Sequence, residues 1–383
     1  MALKKSTRGQ VPPFIVMDVM REANRLESTG RDILHLEVGQ PSTGAPSKVI
    51  AAAQHALIND KLGYTEALGI DPLRRRIARY YSDTHDIDLA EDRVIVTTGS
   101  SGGFMLAFLA AFDVGDRVVL ADPGYPAYRN ILAALGIEAV GVPATAEDRY
   151  QPTPALLDRI DGEIDGLIVA SPANPTGTMI SADEMAALTS YCDDRGIRLI
   201  SDEIYHGITY EMPGVTALTH TDNAFVVNSF SKYYSMTGWR VGWMVIPEQL
   251  HRSVECLAQN IFISVPALSQ HAASAAFDCT AELDENVARY AANRELLLRD
   301  LPKAGLTKLA PADGAFYIYA DVSHLTNDSE DFCRRMLTEA GIATAPGTDF
   351  DRDRGRSAIR ISFAGDTQTM SDAAGRLKDW IEG

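Results

Sequence analysis

The chain has 383 residues, 46% hydrophobic and 23% charged, enough length and apolar content for a large core and two domains. Its formal net charge of -17 argues against a general affinity for nucleic acid or an anionic membrane, so an anionic ligand needs a locally positive pocket. Cys192, Cys256, Cys279 and Cys333 are scattered with no CxxC pair, Met1 to Gln10 is polar and basic and no secretory signal, and no apolar run approaches membrane-spanning length. These features predict a cytoplasmic protein with buried thiols and no metal site.

No repeat or low-complexity tract is present. Ile15, Val16, Val19, Met20, Ala23 and Leu26 have helical spacing, and 33–36 reads as a short strand. Pro41, Gly44 and Pro46 mark a loop and a change of domain. From Val94 the chain alternates. Strands are predicted at 94–96, 118–120, 167–169, 199–200 and 225–227, and helices at 104–112, through Ile131 and Leu135, and at 184–192. Apolar strands alternating with helices predict an α/β fold with a mostly parallel sheet covered on both faces. A long helix at 282–301 precedes an α+β segment, with strands at 315–319 and 359–362 around a helix near 332–340. The expected division is a large domain over 46–285 and a smaller α+β domain made from 1–45 and 286–383, joined by the N-terminal strand.

Open parallel sheets gather ligands at the carboxyl ends of their strands. Lys232 ends Ser229-Phe230-Ser231-Lys232, directly after an apolar strand, so its amine points into a cleft and can form an imine with an aldehyde. Arg240 follows in Thr237-Gly238-Trp239-Arg240-Val241-Gly242, and its fork of donors can hold a phosphate. Pyridoxal 5'-phosphate (PLP) is an aldehyde that carries a phosphate. Thr97-Thr98-Gly99-Ser100-Ser101-Gly102 reads either as a phosphate cradle at a helix N-terminus or as a capped strand–helix turn. Tyr125, in Asp122-Pro123-Gly124-Tyr125-Pro126, either stacks on a planar ligand or packs against helices. Asn174, in Ser171-Pro172-Ala173-Asn174-Pro175-Thr176-Gly177, either donates to a ring oxygen or makes an Asn-Pro turn. In Ser201-Asp202-Glu203-Ile204-Tyr205, Asp202 either faces a cationic ring nitrogen or caps a helix, Tyr205 is a phenol donor or a core tyrosine, and Glu203 faces solvent or a subunit contact. Arg360 lies between two isoleucines in a strand, where its charge needs a buried partner or a substrate carboxylate.

Together these motifs, with Gly314-Ala315-Phe316-Tyr317, resemble in kind and order the class I/II aminotransferases of the aspartate aminotransferase superfamily (PLP fold type I), across nearly the whole chain. The resemblance implies that Lys232 holds PLP and shuttles the proton, and that Asp202 keeps the pyridine nitrogen protonated. It implies Tyr205 and Asn174 at the ring's phenolic oxygen, Tyr125 over its face, and Arg240, Ser229, Ser231 and the amides of Ser100 and Ser101 at the phosphate. Tyr64 would reach the phosphate of a neighbouring subunit in a homodimer, with the active site at the subunit interface. Arg360, the backbone near Gly39, and Asn174 would bind the substrate. The implied reaction is ping-pong transfer of an amino group from an amino acid to a 2-oxo acid. The alternative on the same fold is a lyase or decarboxylase.

Two departures bear on substrate. Some dicarboxylate-specific relatives carry a lysine where this chain has Ser101, and small hydroxyl residues where it has Phe14 and Ile15. The expected donor is therefore aromatic or aliphatic, with aspartate and glutamate as further candidates.

Overall fold

The computed structural model describes residues 3–383; Met1 and Ala2, at the start of the polar stretch Met1 to Gln10, lie outside the described residues. Its centre is a seven-stranded sheet in the order Val94–Thr97, Gly242–Val245, Phe225–Ser229, Arg198–Asp202, Gly166–Ala170, Arg117–Asp122, Glu138–Pro143. All neighbours pair in parallel except Gly242–Val245, which runs antiparallel to both strands beside it. Strands Val94–Thr97, Phe225–Ser229 and Gly242–Val245 are buried throughout, as strands covered on both faces must be. One face carries Val96, Val119, Leu167, Val226 and Trp243; the other carries Ile95, Leu120, Ile168, Phe225 and Met244.

A separate core surrounds a four-stranded antiparallel sheet in the order Ala345–Pro346, Ala358–Ser362, Tyr317–Asp321, Lys308–Leu309. The N-terminal strand Leu34–His35 pairs in parallel with Ile342–Ala343, bringing the chain's start into this second layer. Helices Thr280–Asp300 and Thr367–Glu382 cover it, and the first runs without a break across the 285/286 division expected from sequence. The helix read near 332–340 is Ser329–Arg335 continued by a π-helical turn, Met336–Ala340.

Sequence patterning did not bring out helices Ser47–Asn59 and Asp71–His85, the edge strand Glu138–Pro143, or Gly242–Val245. Glu138–Pro143 is mostly unburied and contains Gly141, so it lacks the apolar run that marks a central strand. Among the described residues no helix is long and apolar enough to cross a membrane, and no cluster of three metal-binding side chains occurs.

Trp243 is fully buried, with ring centroids of Phe230 and Phe277 at 4.9 and 6.2 Å and its indole N–H donating to Tyr81 Oη at 3.2 Å. Trp243→Ala should cost roughly 3–5 kcal/mol, the range for emptying a large aromatic site. A urea titration should show a clear fall in midpoint; an unchanged midpoint would contradict this packing.

Candidate active site

The loops that matter leave one edge of the central sheet. Parallel strands end there at Thr97, Ala170, Asp202 and Ser229. Gly242–Val245 runs the other way, so the residues that precede it, Arg240 included, arrive at the edge where Lys232 follows Phe225–Ser229. A cavity of about 230 Å³ opens there, walled also by Gly39, Tyr317 and Arg360 from the second layer and by the first helix. A second cavity, about 420 Å³ and lined in part by His85 and His206, contains no lysine and none of the site residues read from sequence.

Lys232 is half-buried at the cavity wall, and its Nζ donates to the Gly39 carbonyl at 2.5 Å. Loss of hydration pushes the amine down to about 8 from the ordinary 10.5; Arg360 and Arg240 push the same way, and Asp202 opposes them. Asp202 is buried at its strand end, with one carboxylate oxygen accepting from Tyr128 Oη and the other from the Ile204 amide at 3.1 Å. Burial raises it to about 6 against the pull of those two donors and Lys232. No helix follows Asp202, so it is not an N-cap.

The cavity end near Arg240 fits a phosphate. Helix Gly99–Ala111 begins there, and Thr98 supplies no side-chain cap, so its first amides keep their hydrogens free. Gly99 has φ +69°, and a Cβ on it would stand 2.5 Å from Arg240 Nη2. A Cβ on Gly242 would stand 3.2 Å from the Ser100 amide. Both glycines keep clear the space between guanidinium and amides. Ser100, Ser101 and Ser231 line the cavity.

Arg360 is only 2% exposed. Its Nη1 donates to Asn174 Oδ1 at 2.9 Å and its Nη2 to the Glu37 carbonyl at 2.5 Å, while Nε has no partner. Its guanidinium lies 4.4 Å from the Tyr317 ring centroid and 4.7 Å from that of Phe350. Among the described residues no carboxylate reaches ion-pair distance of it. A buried guanidinium with no anion in contact costs several kcal/mol, which a ligand carboxylate would offset; the nearby Asp349 carboxylate feels its charge without touching it. Because the Asn174 oxygen is committed to Arg360, its NH2 group is left to donate elsewhere. Tyr205 Oη shares a hydrogen bond of 2.7 Å with Tyr317 Oη, and burial raises the Tyr205 phenol.

The structure thus brings Lys232, Asp202, Tyr205, Asn174, Tyr125 and Arg360 to one cavity, together with Gly39, Ser100, Ser101, Ser231 and Arg240. Ser229 lies behind the wall, donating to Ser231 Oγ or the Val241 carbonyl. Tyr64 is 86% exposed and outside the cavity. Ile15 turns away, and Phe14, Val16 and Met17 form the wall instead. Glu203 corrects the sequence reading: it is fully buried, accepting from Ser201 Oγ at 3.0 Å and the Ala217 amide at 2.9 Å, and burial raises it to about 8. Sequence reasoning gave no role to Tyr128 or Tyr317. Tyr128 is three residues from Tyr125, the spacing that would have placed both on one helix face. Tyr317 stands on the strand beside Arg360, diagonal to it in register.

The sequence matches the family model "Aminotransferase class I and II" over residues 31–377. It is 53% identical to a protein of Mycobacterium tuberculosis named valine–pyruvate aminotransferase, over 98% of this chain and 97% of that one. The fold superposes on a crystal structure of an aminotransferase from M. tuberculosis with a TM-score of 0.97, 52% identity and full coverage of both chains. Aspartate aminotransferase from Thermus thermophilus, solved with maleate, is 28% identical at a TM-score of 0.93, covering 99% of this chain and 100% of that one.

The lysine geometry has a pH signature. Only the neutral amine attacks an aldehyde, and Lys232 is charged below about 8 and neutral above it. Attachment of PLP to the cofactor-free protein should therefore speed up about tenfold per pH unit below that value and level off above it. Stopped-flow absorbance measures this; a rate still climbing toward pH 10 would contradict the lowered amine.

Proposed function

We propose, from the premise that this chain belongs to the class I and II aminotransferases and moves an amino group between an amino acid and a 2-oxo acid using PLP, that its preferred amino donors are aliphatic or aromatic. One observation carries the reading. The cavity that holds the unpaired Arg360 is walled in part by Phe14, Val16, Met17 and Val38, and the cations among its lining are Lys232, Arg240 and Arg360. A side-chain carboxylate would meet apolar surface there and lose its hydration without a partner. The name of the M. tuberculosis relative supports valine as a donor and pyruvate as an acceptor.

Bound PLP supplies an aldehyde that joins to amines and a cationic ring that draws electrons from the substrate's Cα–H bond. The chain's own groups do the rest. Lys232 holds the cofactor and, once released as a free amine, takes the Cα proton. Asp202, oriented by Tyr128, keeps a proton on the pyridine nitrogen, because an opposite charge in a dry site favours the cation. Tyr205 and Asn174 bind the phenolic oxygen, and Tyr125 covers the ring. Arg240, Ser231 and the amides of Ser100 and Ser101 hold the phosphate, with Ser229 orienting Ser231. Arg360 grips the α-carboxylate beside Gly39.

A second copy of the chain completes the site in this reading. Tyr64 is exposed, as are Leu57, Ile58, Ile261 and Ile263, and its loop is tied to the one that holds Ile263 by a Thr65 N–Ser264 Oγ bond of 3.4 Å. So apolar a surface favours association, and Tyr64 would reach the partner's phosphate. We take 1–45 with 286–383 as the smaller domain and 46–285 as the larger. Four free cysteines, three of them buried, fit a reducing cytoplasm.

A donor–acceptor matrix tests the substrate reading: valine, methionine or phenylalanine should exceed aspartate in kcat/KM, and a strong aspartate preference would overturn it. Arg360→Ala should raise KM for amino and oxo acids alike, by about a hundredfold if a desolvated charge-assisted pair is lost, while PLP absorbance is kept. Loss of the cofactor instead would show that its role lies elsewhere.

A further inference from the structure

We propose that Asp349 is a positioning residue that sets the distance between the carboxylate grip and the apolar wall, and so the size of side chain the site accepts. The inference rests on the apolar-donor reading above. The wall belongs to helix Ile15–Glu27, whose N-cap residue, Phe14, has no side chain able to cap it. The first amides of a helix need acceptors. Here the acceptor comes from the far end of the chain: Asp349 Oδ1 accepts from Ile15 N and Oδ2 from Val16 N, each at 3.1 Å. Asp349 is 5% exposed, so water does not readily replace these bonds. Its negative charge also suits the positive end of the helix dipole.

The same short segment faces the other half of the site. The ring of Phe350 lies 4.7 Å from the Arg360 guanidinium. Arg129 Nη2 donates to the carbonyls of Asp349 and Phe350 at 3.2 and 2.9 Å, fixing both to the helix that follows Tyr125. Phe14 meets the Tyr125 ring edge-on at 5.8 Å. Asp349 lines no part of the cavity itself, yet it joins the residue packed on Arg360 to the helix that carries Val16 and Met17 and follows directly on Phe14. A substrate held by its carboxylate at Arg360 therefore meets a wall whose position this one side chain sets.

The test uses holoenzyme carrying Asp349→Asn or Asp349→Ala, with the isosteric Asn variant decisive if the Ala variant does not fold. KM for valine and methionine should rise about tenfold, equivalent to one charge-assisted hydrogen bond. KM for alanine, whose methyl group is too short to lean on the wall, and kcat for all three should change less than about twofold, with cofactor absorbance unchanged. Hydrogen–deuterium exchange should quicken in the peptide containing Ile15 and Val16 while the core strands stay protected. An equal rise in KM for alanine and valine, loss of cofactor, or unaltered exchange at Ile15 and Val16 would overturn the proposal. If the unmodified enzyme shows no preference for apolar donors, the substrate reading fails, and the exchange measurement still decides whether Asp349 anchors the helix.

Discussion

An imbalance of charge around one cavity governs the rest of this structure. Lys232, Arg240 and Arg360 face it, and Asp202 is the one carboxylate among its lining. The chain as a whole carries a net charge of -17, so this excess of positive charge is local and built. The sharpest case is Arg360, buried between two aromatic rings with only neutral carbonyl acceptors. Folding leaves these charges partly unanswered; in the proposed reading a phosphate would pair with Arg240, an α-carboxylate with Arg360 and a protonated pyridine with Asp202, leaving the Lys232 amine to meet the aldehyde. Burial, with Arg360 and Arg240 acting in the same direction, holds the Lys232 amine down at about 8.

Topology delivers these groups to a common edge. Parallel strands place the residues after Ala170, Arg198–Asp202 and Phe225–Ser229 on the same side, and the one antiparallel strand sends Arg240 back to meet Lys232. The second layer then closes the cavity from above with Arg360 and Tyr317. The N-terminal residues serve both layers: Leu34–His35 extends the second layer, the Gly39 carbonyl accepts from Lys232, and helix Ile15–Glu27 walls one side of the cavity. Gly39 also shows how closely the layers approach, since a Cβ on it would collide with the Tyr317 hydroxyl.

Much of this was legible in the sequence, and the rest was hidden for identifiable reasons. Lys232, Asp202 and Asn174 stand in short motifs at the ends of apolar strands, and Arg360 interrupts an apolar strand, so local pattern marked them as candidates while leaving open a cap, a turn or a buried partner for the last three. Tyr128, Tyr317 and the Glu37 carbonyl act through partners 74, 112 and 323 residues away, and no local pattern reports such contacts. Glu203 was misread because glutamate is rarely fully buried. Here two neighbouring donors and a raised proton affinity make burial tolerable. The strand Gly242–Val245, which opens on a glycine directly after the Arg240 motif, was not brought out, although it decides where Arg240 lies. The first helix was read correctly as a helix, but the bonds from its Ile15 and Val16 amides to Asp349, more than three hundred positions away, leave no trace in local pattern.

The proposed chemistry requires Lys232 to be the amine to which PLP is covalently joined. Reduction of the holoprotein with borohydride, followed by digestion and mass spectrometry, reads the attachment point. A pyridoxyl mass on the peptide containing Ser231 and Lys232, and its absence after Lys232→Ala, is the predicted result. A reduced adduct on any other lysine, or none at all, would contradict it.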